Sequence, residues 1–124
     1  MMSFIYVGIG GALGAMARFG VSVWLKTAAI GGFPWATLSV NIFGSLLMGL
    51  LMGWLARSGN EGVRLFLAVG VLGGFTTFSA FSMELVSLLE RREAVLAVLY
   101  ASGSLIGGVA AFMAGYVLLR SVAA

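Results

Sequence analysis

The chain has 124 residues, 61% of them hydrophobic and only 9% charged, with no cysteine, no histidine and a formal net charge of +3. That balance places it among membrane proteins and excludes a disulfide framework, a His/Cys metal site and any imidazole base or proton relay. The seven basic residues do not cluster; they mostly mark the ends of apolar stretches, which points to an anionic lipid surface and away from nucleic acid.

Four apolar stretches follow one another at 4–25, 34–56, 63–89 and 94–119, joined by short charged connections. A hydrocarbon core of ~30 Å needs about 20 helical residues to cross. Each stretch is long enough. Residues 1–124 therefore read as a single all-α membrane domain of four spans. The first stretch lacks a basic start and runs too long for a signal peptide, so it is expected to be retained. Small residues recur at helical spacing, as in Gly10 and Gly14 or Gly103 and Gly107. That is how membrane helices pack closely.

Four spans put both termini and the second connection on one side. That side carries Arg57, Arg64 and Arg120; the other carries Lys26, Arg91 and Arg92. An even distribution gives the positive-inside rule nothing to act on. It predicts insertion in both orientations, and pairing of two copies as a dual-topology antiparallel homodimer; the alternative is that one buried charge or the insertion machinery fixes a single topology.

In the first span, Arg18 lies eight residues before Lys26, and in the third Glu84 lies six before Glu90. Both charges are then about 10 Å below the same surface. Charges inside a membrane are costly and default to function. Equal depth suggests an Arg18–Glu84 ion pair; alternatives are snorkelling of Arg18 to the surface, an anion vestibule made positive by Arg18, or Glu84 as a proton carrier. The run "GIGGALG" lacks the third glycine of a dinucleotide loop, with Leu13 in its place and no strand before it. No nucleophile–base pair is present, so the chain does not read as an enzyme.

The second span carries Thr37, Asn41 and Ser45 at every fourth position, and the fourth carries Tyr100 and Ser104 at the same spacing. Hydroxyls and an amide offer donors to an anion stripped of water. Interhelical hydrogen bonding is the alternative use.

The third span holds "GGFTTFSAFS" at 73–82. Counting ~1.5 Å per residue puts Gly73 to Thr77 near the midplane. Paired glycines, then a phenylalanine and two β-branched threonines, make a poor helix interior and predict a break. Carbonyls freed there need protein, water or an ion, and would suit a cation. The alternative is that Thr76, Thr77 and Ser79 bond back onto an unbroken helix. Phe75, Phe78 and Phe81 recur every third residue, as do Ser79 and Ser82. On a continuous helix the three rings share one face. They form either an apolar contact or a pore wall, where positive ring edges meet an anion.

These residues resemble the Fluc (CrcB) family of microbial fluoride channels over essentially the whole chain. The resemblance is carried by "GALGAMARF" in the first span, "NIFGS" at 41–45 and above all "GGFTTFSAFS" with Glu84 just after it. It implies antiparallel homodimers with two fluoride pores, passive export of fluoride, and residence in the cell inner (plasma) membrane. It implies a structural sodium ion at the dimer centre, held by main-chain carbonyls of Gly73 and Thr76 from both chains. It implies pore-facing Phe78 and Phe81, pore Asn41 with Thr77 and Ser79 beside it, vestibule Arg18, and a polar track of Tyr100, Ser104, Glu84 and Thr37. Two positions depart from the family pattern: Phe75, where an aliphatic residue is expected, and Gly108, where a further hydroxyl often stands. Two other readings compete. A small dual-topology proton-coupled drug exporter needs a membrane acid, expected in the first span, where this chain has Arg18 instead. A structural membrane subunit would use the glycines for packing alone.

Overall fold

In a computed structural model the four spans are helical, the third with an interruption, and the structure describes residues 1–28 and 32–122. Helix α1 is Met2–Ala28, α2 is Trp35–Ser58 and the last helix, α5, is Ala94–Val122. The third span is divided. Its first half, α3, covers 61–75 as a turn Glu61–Val63, a π-helical stretch Arg64–Leu72 and a closing turn Gly73–Phe75. Its second half, α4, is Ser79–Glu90. All four spans are long and apolar enough to cross a membrane. Their ends agree with the hydropathy reading to within a turn, because helical hydrogen bonding runs on into polar end residues such as Arg120 and Ser121.

Local chemistry sets the ends. Gly59 takes a left-handed conformation, φ 62°, and its N–H closes α2 onto the Leu55 carbonyl. Asn60 then starts α3 by accepting the Val63 N–H at 3.0 Å. At the far end of α4 the Glu93 N–H reaches the Leu88 carbonyl and the Arg92 N–H reaches that of Leu89. This is a Schellman closure with Arg92, φ 59°, in the left-handed position.

The most extensive helix contacts are α2 with α5 and α1 with α3. Glycine makes the second of these. A Cβ added at Gly10 would run into the Phe66 carbonyl, and one at Gly14 into the Val71 carbonyl. From the other side, a Cβ at Gly74 would lie 2.5 Å from the Gly11 carbonyl oxygen. The π stretch turns more slowly than an α-helix. Its contacts with α1 accordingly recur every four to five residues, at Phe66, at Gly70 and Val71, and at Gly74 and Phe75. Helix α5 approaches α2 in the same manner, with Gly115 against Leu46 and Leu50. Helices α4 and α5 share a small buried cluster of Leu88, Ala97 and Tyr100, covered by Phe33, Leu38, Phe81 and Leu85. Much of the remaining apolar surface faces outward, including Phe4, Met16, Phe19, Trp24, Leu105 and Ile106. Such a surface requires lipid or a second chain.

Candidate ion pathway

The break lies at Thr76, Thr77 and Phe78, between α3 and α4. It begins within the stretch Gly73 to Thr77 that the sequence marked, at the threonines and not at the glycines. Gly73 itself still has helical dihedrals, φ −62° and ψ −38°, and the chain leaves the helix at Thr76, φ −87° and ψ 155°. Glycine tolerates helix when a neighbouring helix backbone packs against it, as α1 does at Gly74. The threonines then end it.

Side chains take over the ladder at this point. The Thr77 N–H, which in a continuous helix would bond the Gly73 carbonyl, donates to Asn41 Oδ1 at 2.9 Å. Asn41 Nδ2 returns a bond to the Thr77 carbonyl at 3.0 Å. The Ala80 N–H, which would have bonded the Thr76 carbonyl, donates to Thr77 Oγ1 at 3.2 Å. Thr77 therefore caps α4, with Ser79 Oγ 3.3 Å from the same hydroxyl. The main-chain carbonyls of Gly73 and Thr76 are among those released from their helical partners. Thr76 also bonds back, through Oγ1 to the Leu72 carbonyl at 3.0 Å. Breaking and back-bonding thus occur together at adjacent threonines.

Arg18 serves the same segment. Its Nε donates to the Gly74 carbonyl at 3.3 Å. Glu84 takes a different partner, the Tyr100 hydroxyl, at 3.1 Å. The Arg18–Glu84 ion pair that equal depth suggested is not formed; among the described residues the ion pairs join Arg64 to Glu61 and Arg91 to Glu93. Depth fixes only one coordinate, and Arg18 finds a nearer acceptor in the opened backbone.

The three phenylalanines do not share one face, since the break reorients the chain between them. Phe75 packs toward Gly44 of α2. Phe78 is 79% exposed on the isolated chain, with its ring 5.7 Å from that of Phe81. Phe81 leans on Tyr100 at 5.0 Å.

The polar stripe of α2 is distributed along this course. Thr37 is buried next to the Tyr100 hydroxyl. Asn41 holds the break. Ser45 lines two cavities. The first, about 310 Å³, is bounded by Asn41, Thr76, Thr77, Phe78 and Phe112. The second, about 340 Å³, is bounded by Ser104, Gly108 and Phe112. Ser104 Oγ is buried there without a hydrogen-bond partner, and an unpaired hydroxyl in so apolar a setting is costly. A third cavity, about 370 Å³, lies at the other end of the molecule, with Glu84, Ser22, Ser87 and Arg91 in its wall. Thr77, Ser79, Phe78, Asn41 and Arg18 are thus gathered at the break, Tyr100, Glu84, Thr37 and Phe81 above it, and Ser104 beyond it. Sequence reasoning missed the π stretch and the use of Arg91. A glycine–arginine pair 59 residues apart carries no periodic signal.

Comparison with known proteins gives this arrangement a context. Residues 5–116 match the family model described as CrcB-like protein, Camphor Resistance (CrcB). A protein of Novosphingobium aromaticivorans named fluoride-specific ion channel FluC is 52% identical over 127 residues, covering 99% of this chain and all of the relative. One of Sphingopyxis alaskensis with the same name is 53% identical over 126 residues, covering both chains completely. A third, of Thermus thermophilus, is 47% identical over 114 residues, covering 91% of this chain and 90% of its own.

Proposed function

This chain belongs to the CrcB-like family, and on that premise we propose that it is a fluoride-selective channel that lets the anion leave the cytoplasm passively. The choice of ion rests on relatives named fluoride-specific channels that match it from end to end at 52 and 53% identity. The geometry supports a path through the break. One observation carries it: the third span is interrupted inside the membrane and held open by Asn41. Polar side chains then follow α2 from Thr37 through Asn41 to Ser45. Fluoride is small and strongly hydrated. Its shell has to be replaced stepwise by donors, none of which holds it too tightly. The second Nδ2 hydrogen of Asn41, the hydroxyls of Thr77, Ser79, Ser104 and Tyr100, and the ring edges of Phe78 and Phe81 are suited to that exchange. Arg18 at the break adds a positive charge. Family membership does not favour a drug exporter or a packing subunit.

The working unit in this reading is an antiparallel homodimer with two pores, inserted both ways up in the plasma membrane. The balanced basic residues support it, as does Phe78, which as a pore wall needs a second surface to face. A sodium ion at the dimer centre belongs to the same proposal. The fit is good on the donor side: Gly73 and Thr76 each have a carbonyl whose helical N–H partner has gone to a side chain. Such carbonyls are hard oxygen donors of the kind that suits sodium in interrupted membrane helices. The ion would supply positive charge to these carbonyls and join the two copies.

The test is efflux from liposomes holding purified protein, read with a fluoride electrode and a chloride electrode in parallel. Fluoride efflux without chloride efflux is expected. Equal efflux of both would refute selectivity, and efflux of neither would refute conduction.

A further inference from the structure

The cavity of about 370 Å³ between the ends of α1, α2 and α4 presents an electrostatic problem. Its wall includes the Glu84 carboxylate, of which one oxygen accepts the Tyr100 hydroxyl. A carboxylate facing an anion's route repels it unless a cation compensates. Arg18 is bonded to the Gly74 carbonyl and does not line this cavity. Arg91 does.

Arg91 is also fixed in position. Its Nη2 donates to the Gly32 carbonyl at 3.1 Å, across 59 residues of sequence. Gly32 has φ +71°, and a Cβ there would lie 2.7 Å from Arg91 Nη1. Any other residue at position 32 would be strained and would push the guanidinium away. Among the described residues the only acid paired with it is Glu93, at 3.7 Å. A guanidinium has five N–H donors, so the Gly32 bond leaves most of them available.

We infer that Arg91 is the anion-recruiting residue at the mouth of the Glu84 cavity, held there by the Gly32 carbonyl and moderated by Glu93. This role rests on the channel reading above. A fixed cation at the mouth of a cavity concentrates anions there and offsets Glu84, and salt screens the effect, the more so because the Arg91 side chain is exposed.

The experiment measures the initial rate of fluoride efflux from liposomes at low and high ionic strength, set with an impermeant salt. It compares the unmodified protein with Arg91→Gln, Arg91→Lys and Glu93→Gln. At ~10 mM salt, Arg91→Gln is expected to slow efflux roughly three- to ten-fold, and the deficit closes near ~1 M, where the screening length has fallen from ~30 Å to ~3 Å. Arg91→Lys keeps most of the low-salt rate, because the charge remains. Glu93→Gln raises that rate. An unchanged low-salt rate in Arg91→Gln overturns the inference. So does an equal loss at both salt concentrations, which a purely structural tether to Gly32 would give. Either result with a conducting unmodified protein leaves the channel reading intact, whereas a non-conducting unmodified protein removes that reading itself.

Discussion

Asn41 and Thr77 lie 36 residues apart and exchange two hydrogen bonds, at 3.0 and 2.9 Å, so that one side-chain amide replaces a turn of helix. A primary amide carries its donor and its acceptor on separate atoms, as a peptide unit does. The same residue that presents a polar group to the cavity at the break therefore also keeps the break open. Asn41→Ala is expected to lose both roles. Two backbone groups left without partners cost about 1–3 kcal/mol each. The variant should show a clearly lower unfolding temperature in detergent as well as little fluoride efflux. Full stability with lost flux would limit Asn41 to contact with the ion.

Phe78 makes a separate prediction, because it is 79% exposed and none of the hydrogen bonds at the break uses its side chain. Phe78→Ile keeps the apolar bulk and removes the ring edge. Efflux of fluoride is expected to fall by at least ~ten-fold, equivalent to about 1.4 kcal/mol on the barrier, with the unfolding temperature little changed. Unmodified rates would mean that Phe78 faces lipid or packing and not the ion.

How much of this was legible in the sequence follows from the kind of signal each feature leaves. Four spans are a matter of length and hydropathy, and the helices end within a turn of the predicted bounds. The break was legible as a violation of helix propensity over Gly73 to Thr77, but not which of these residues leave the helix. Propensity faults the glycines and the threonines alike, whereas packing of Gly74 against the α1 backbone keeps the glycines helical and leaves the break to the threonines from Thr76 on. Asn41 and Thr77 were expected at a pore and Arg18 at its vestibule, from the family resemblance. Their partners were not, since a side chain's choice among acceptors depends on distances that periodicity does not encode. Arg18 shows this best: depth alone paired it with Glu84, and an opened carbonyl at Gly74 claims it instead.

The glycine seam between α1 and α3 gives a prediction with an internal control. A Cβ at Gly14 would overlap the Val71 carbonyl and sit 2.9 Å from the Phe75 nitrogen, both rigid backbone atoms. Gly8 has nothing within 4 Å of its added Cβ. Gly14→Ala is expected to push the two helices apart at a cost of about 1–3 kcal/mol or more, misplacing the break just beyond it. Gly8→Ala, on an exposed face, gains helix propensity of up to about 1 kcal/mol. Thermal unfolding in detergent should separate the two variants in opposite directions. A tolerated Gly14→Ala would mean that α1 and α3 are not in backbone contact.

Arg92 supplies the last prediction, and its sign is the reverse of the usual loss on mutation. It holds the left-handed position of the closure after α4, φ 59°, a position that glycine usually fills. For a residue with a Cβ that conformation costs roughly 1–2 kcal/mol. Glycine removes this cost but gives the unfolded chain more freedom, which returns about 0.5–1 kcal/mol. Arg92→Gly should therefore stabilise the protein by about 0.5–1 kcal/mol, the difference between these terms. The wall of the Glu84 cavity includes Arg91 but not Arg92, so at ~1 M salt, where charges outside the wall are screened, fluoride efflux should stay as in the unmodified protein. Measuring unfolding on purified protein in detergent keeps the result independent of how the altered loop charge orients the chain during insertion. A loss of stability would show that the Arg92 side chain makes a compensating contact in the assembled protein, and that the left-handed turn is not where strain resides.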